Sequence, residues 1–252
     1  MALRTANPVL KSEVFESYRG TMAGRMTVEG AINKTGLLLV ILVGAAAWTW
    51  AQLFQGGTEA LGPWIMIAFV GALVLGLVTS FKADWAPYTA PAYALCEGSL
   101  LGVISAFAEM RYPGIAIKAV AGTFGVLAMM LLAYRTGLVR PTEKFKWGVI
   151  AATGGVCLLY LASMVLSLFH VHMAFLYDSS PLSILISLVV AAIAALNLIL
   201  DFNFIEEGAR MGAPARMEWY AGFGLLVTLV WLYLEILRLL VKLQGRGDSR
   251  DW

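Results

Sequence analysis

Charge is scarce in this chain. Only 13% of its 252 residues are Asp, Glu, Lys or Arg, and 60% are hydrophobic. That balance excludes a soluble domain, whose surface needs about 25% charged residues. With a net charge of only +2 and basic residues scattered among the loops, the chain lacks the basic face of a nucleic-acid reader. Cysteine is nearly absent. Cys96 and Cys157 lie within apolar runs and read as small hydrophobes, with no disulfide and no metal site implied. The only histidines, His170 and His172, share one loop without a neighbouring cysteine. They read as exposed residues at a membrane edge rather than metal ligands. A cleavable leader is not expected, because mostly polar residues precede the first apolar run, with Glu13, Glu16 and Glu29 among them. The stretch PVLKSEVFESYRG alternates Val9, Leu10, Val14, Phe15 and Tyr18 with charge, which predicts a short helix on the membrane surface.

What remains is long apolar runs. Spans of about 20 residues cross a bilayer, and the sequence offers such runs at 35–54, 61–81, 91–108, 114–134, 148–169, 182–205 and 220–242. Gly56-Gly57 and Pro63, Pro87 and Pro91, Pro113-Gly114, Pro141, Pro181 and Gly212 to Pro214 separate them. The expected fold is all-α and polytopic: a tail at 1–34, a seven-helix membrane domain at 35–243 and a short polar tail at 244–252. Small residues, as in Gly98-x-x-x-Gly102 and Ala151 to Gly155, allow close helix packing. About twice as many Lys and Arg residues fall on the N-terminal side of the spans as on the other, which predicts a cytoplasmic N-terminus. The basic C-terminal tail opposes this mildly.

The polar groups left inside the spans are few. Asp201 and Asn197 sit four residues apart on the sixth span, and Glu235 and Arg238 three apart on the seventh, with Trp231 and Lys242 on the same stripe. Glu97 lies within the third span. Lys118, near the start of the fourth, can snorkel outward. An ionisable group in a bilayer costs roughly 2.5–3.5 kcal/mol, so each acid is a functional candidate. The bland alternatives are a wet helix end for Asp201, an ion pair with Arg238 for Glu235 and a packing hydrogen bond for Glu97. Two carboxylates brought together in low dielectric share a proton, and when both ionise they repel or recruit a hard cation such as Ca²⁺. Asp201 and Glu235 would then form a proton-controlled latch, with Arg238 competing for Glu235. If the sixth helix ends at Gly208, Asp201 lies ~10 Å in. If the seventh starts near Gly224, Glu235 lies ~16 Å in. Tilt, or a later start to the seventh helix, must close that offset.

Several blocks in order resemble the transmembrane Bax inhibitor motif family, and more closely its bacterial YccA-like branch. They are Asn7-Pro8 with MTVEGAINKTGLLL, WAPYTAPAYALCEGSLLGVISAFAE, YRTGLVRPTEKFKWGVIAATGG, NLILDFNFIEEGA and WLYLEILRLL. The resemblance implies seven helices with the last at the centre, and a pH-sensitive calcium leak gated by two aspartates on the last two helices. By motif these fall on Asp201 and on Glu235, where this chain has Glu instead of Asp. The basic residue with which the family locks its pair has no match here beyond Arg238. Glu97 falls in a family-like AxxEGxxLG block that implies a position on the same interior.

The leading expectation is a non-enzymatic, proton-controlled Ca²⁺ leak in a bacterial inner membrane. Asp201 and Glu235 serve as sensor and Ca²⁺ ligands, and Glu97, Arg238 and Asn197 line or lock the path. No cofactor is implied; the expected partners are lipid, Ca²⁺ and protons. A second expectation is a regulator acting through partners such as a membrane protease, with the N-terminal tail carrying the function. A third, an intramembrane hydrolase, lacks the paired Tyr-Asp and Gly-x-Gly-Asp signatures.

Overall fold

The computed structural model describes residues 24–56, 61–169 and 178–248. The surface helix expected within residues 9–18, His170 and His172 all lie outside them. Among the described residues seven α-helices follow in order: α1 Val28–Gly56, α2 Gly62–Phe81, α3 Ala86–Arg111, α4 Ile115–Arg135, α5 Glu143–Leu168, α6 Pro181–Met211 and α7 Met217–Asp248. No strand occurs among the described residues, and all seven helices are long and apolar enough to cross a membrane.

Local chemistry sets the ends. Thr142 and Ser180 cap α5 and α6 by accepting from the backbone N–H of Phe145 and Ser183. Pro63, Pro87 and Pro181 occupy first turns, where no N–H is needed. Gly212, at φ 69°, ends α6 in the left-handed region.

Several boundaries differ from the sequence reading. α1 begins at Val28 rather than 35 because a cap holds its first turn. The Thr27 hydroxyl accepts from the Gly30 N–H at 2.9 Å, and the buried carboxylate of Glu218 on α7 accepts from the Thr27 N–H at 3.0 Å and the Thr27 hydroxyl at 3.1 Å. Pro91 does not bound α3; it lies inside the helix, which forgoes only the hydrogen bond its N–H would have made. α6 and α7 outrun their apolar cores, since 31 and 32 residues make helices of ~47 Å against a hydrocarbon thickness of ~30 Å. Removing the Glu218 cap by Glu218→Ala is expected to lower stability by about 1.5–3 kcal/mol, the usual worth of hydrogen bonds to a charged group. Faster amide exchange confined to residues 27–31 reports it; unchanged exchange there would assign the cap no role.

α7 packs against α1, α3, α4 and α6, so the last helix is central as expected. α2 packs mainly on α3 and its adjoining turn and touches α1 where Trp64 meets Trp48, ring centroids 5.6 Å apart; α5 packs mainly on α6 and reaches α7 through Tyr160. One core joins Leu198 and Ile199 of α6 to Leu225, Leu229 and Leu232 of α7 and to Ile115 and Ala119 of α4. A second joins Leu38 and Leu42 of α1, Ala90, Tyr93 and Ala94 of α3, and Phe223 and Leu226 of α7. Large apolar side chains such as Val40, Phe69 and Leu158 face outward, as they do in a protein whose solvent is lipid. The motif Gly98-x-x-x-Gly102 is the α1–α3 crossing: a Cβ on either glycine would run into the backbone of Leu42 or Ala46. Gly154 and Gly155, by contrast, have no neighbour there within 4 Å.

Candidate functional site

The acids of the last two helices are not brought together. Counting from Met211 at the end of α6, Asp201 lies ~15 Å in. Counting from Met217 at the start of α7, Thr228 lies ~16 Å in and Glu235 ~27 Å. The neighbour of Asp201 on α7 is therefore Thr228, whose hydroxyl stands beside the carboxylate and 3.2 Å from the Gly224 carbonyl. Glu235 stands two turns further along. An earlier start to α7, not a later one, widens the expected offset instead of closing it, and a latch between Asp201 and Glu235 is not formed in this structure.

Glu235 has its own partners. It is 1% exposed. The Tyr160 phenol of α5 donates to it at 2.8 Å, and Arg238 Nη1 stands 3.2 Å from both carboxylate oxygens. Arg238 also donates to the Tyr160 oxygen and lies over the Tyr160 ring, 5.0 Å from its centroid. The three groups close a ring. Arg238 thus holds Glu235, as its i, i+3 placement suggests. One turn on, the buried Lys242 Nζ donates to the Ser187 hydroxyl at 2.8 Å and the Ser183 carbonyl at 3.3 Å on α6. Tyr160, Ser183 and Ser187 escape sequence reading because their types are ordinary in membrane helices; only the neighbour identifies them.

Asn197 belongs to a different contact from Asp201. Its Nδ2 donates to the Thr153 hydroxyl of α5 at 2.8 Å and to the Ile193 carbonyl at 2.9 Å, tying α5 to α6. The acid that shares a space with Asp201 is Glu97. Both line an open cleft of about 950 Å³ bounded by α2, α3, α6 and α7. Its walls are apolar and aromatic, with Phe69 and Leu73 of α2, Leu100 of α3, Phe204 of α6 and Phe223 and Val227 of α7, and no Lys or Arg lines it. Asp201 Oδ2 is shielded from solvent and has no hydrogen-bond partner. Glu97 makes no hydrogen bond or ion pair among the described residues. Among those residues, too, no three His, Cys, Asp or Glu side chains gather in a metal-holding group.

A family model described as Bax inhibitor 1 like matches residues 7–245, which is nearly the whole chain. The protein belongs to the Bax inhibitor 1 like family. No curated protein and no solved structure gives a significant match to it. Within this family member the two acids expected to act as one unit fall in separate places. Asp201 opens on a cleft, and Glu235 is enclosed by its own helix and α5.

Proposed function

We propose that this protein is a proton-controlled leak for a hard cation such as Ca²⁺, of the YccA-like kind, in a bacterial inner membrane with its N-terminus cytoplasmic. The observation that carries the reading is the Asp201 carboxylate, set in the membrane with one oxygen unpartnered, in a cleft it shares with Glu97 and no basic side chain. An ionised carboxylate there attracts a cation because nothing else neutralises it. Carboxylate oxygens are the ligands Ca²⁺ prefers, and water completes an incomplete set. Glu235, already matched by Arg238 and Tyr160, serves as a fixed partner that holds α5 against α7.

The sign of the pH response follows. Ionised Asp201 and Glu97 recruit the cation; lowering the pH protonates them and removes the attraction. The leak therefore falls as pH falls. Liposomes loaded with a Ca²⁺ dye, assayed from about pH 4 to pH 8 so that the range reaches down to ordinary carboxylate protonation, test this. Asp201→Asn keeps the shape and loses the charge. It is expected to reduce the leak at the alkaline end by about tenfold, equivalent to ~1.4 kcal/mol of lost attraction, and to flatten its pH dependence. A leak equal to that of protein-free liposomes at every pH, or an Asp201→Asn profile superimposable on wild type, overturns the reading.

A further inference from the structure

We propose that the cleft between α2, α3, α6 and α7 binds an amphipathic amine drawn from the bilayer, its ammonium group between Glu97 and Asp201 and its apolar body along α2. Four observations converge on this occupant. First, the cleft is long. It is lined from Ile65 to Ser80 on α2, which spans ~22 Å of helix, and its volume suits a drug-sized or single-chain molecule. A bare or hydrated metal ion needs neither that volume nor those walls.

Second, the cleft opens sideways. α2 packs on α3 and does not pack along α6, so the gap between α2 and α6 faces the membrane. An apolar body enters from lipid without crossing water.

Third, the polar chemistry is that of a cation receptor. Asp201 Oδ2 is buried and unpartnered, Glu97 has no cationic partner, and no lysine or arginine lines the space. An ammonium donates several N–H bonds, which supplies the donor that Asp201 Oδ2 lacks.

Fourth, two aromatic pairs flank the acids. Tyr93 and Phe223 meet edge to face with centroids 5.0 Å apart, and Phe204 and Tyr220 do so at 6.0 Å; all four line the cleft. Aromatic faces around an acid favour an organic ammonium through cation–π attraction. They attract a neutral alcohol head of the same length far less.

The inference does not depend on ion flux, because binding is read directly. The protein is placed in nanodiscs and titrated with dodecylamine, and native mass spectrometry counts bound molecules. Dodecanol and dodecanoate are the neutral and anionic controls. One saturable dodecylamine per chain is expected, with neither control bound specifically. Glu97→Gln with Asp201→Asn is expected to weaken binding about tenfold or more, the scale of one lost charged contact. Gly224→Leu tests the space with both acids intact. A Cβ at this cleft-lining position meets no heavy atom within 4 Å, so a larger side chain has room to start into the cleft beside Asp201, and it too is expected to weaken binding. Thermal melting of each variant verifies the fold. Dodecanol held as tightly as dodecylamine makes the cleft a lipid-chain groove only and overturns the proposal. Undiminished dodecylamine binding by the double variant or by Gly224→Leu overturns it as well. A protein that binds dodecylamine but leaks no Ca²⁺ keeps this inference and loses the leak.

Discussion

Gly102→Leu is expected to leave no cooperatively folded protein in detergent, while Gly155→Leu behaves like wild type. At Gly102 a Cβ would stand 2.8 Å from Ala46 Cα and would also strike the Ala46 carbonyl oxygen and the Thr49 hydroxyl. Two of these obstacles are backbone, which cannot rotate away. Relief requires α1 and α3 to separate along their whole crossing. That motion also breaks the hydrogen bond from the buried Thr49 hydroxyl to the Ser99 carbonyl, 3.0 Å long, and displaces Leu38 and Leu42 from the core they share with Ala90 and Ala94. Overpacking alone costs about 1–3 kcal/mol, and the lost interhelical contact adds to it, in a solvent where close packing is the main force holding helices together. Gly155 has open space at the same atom, so the same chemical change there is expected to shift stability by less than about 0.5 kcal/mol. Thermal unfolding of the two purified variants side by side decides it. Equal melting temperatures would mean that the α1–α3 crossing is looser than the structure places it.

Arg238→Ala is expected to destabilise more than Glu235→Gln, and the double change Glu235→Gln with Arg238→Met to recover most of the loss. Removing the guanidinium leaves a carboxylate that is 1% exposed with one remaining donor, the Tyr160 phenol. Stranding a buried charge costs about 3–5 kcal/mol. The figure here belongs at or below the low end, because the Arg238 side chain is itself 35% exposed and its charge is partly screened. Glu235→Gln keeps an acceptor for Tyr160, and the solvated guanidinium finds water. In the double variant neither charge remains to be stranded, and Met restores the length that packs beside Tyr160. A double-mutant cycle by chemical denaturation in mixed micelles measures the coupling. If Arg238→Ala unfolds with the wild type, the ring of Tyr160, Glu235 and Arg238 does not hold α5 to α7, and α5 is kept in place by its contacts with α6, Asn197 with Thr153 among them.

The division between what was legible and what was not follows the range of each interaction. Seven membrane helices were legible because hydropathy and span length are local properties, and a bilayer accepts few other solutions. The breaker Gly212 was likewise written at the end it makes, while the capping hydroxyls of Thr142 and Ser180 emerged only with the structure. The pairing of Glu235 with Arg238 was legible too, since residues three apart on a helix are always neighbours. Glu97, Asp201 and Glu235 stood out as acids in the membrane because such groups are rare there.

Which acid meets which depended on the register between α6 and α7. A chain cannot state that register locally: sliding one helix by a turn changes the height of every group by ~5.4 Å and leaves the hydrophobic pattern almost unchanged. The short link from Met211 to Met217 starts α7 early. That choice sets Asp201 against Thr228, leaves Glu235 to Tyr160 and puts Asp201 on the wall of the cleft that Glu97 also lines. The sequence alone determined a seven-helix membrane protein with three candidate acids. The tertiary packing decided that Asp201 and Glu97 face one open space while Glu235 is closed away, because only packing places side chains distant in the chain at the same depth and on facing surfaces.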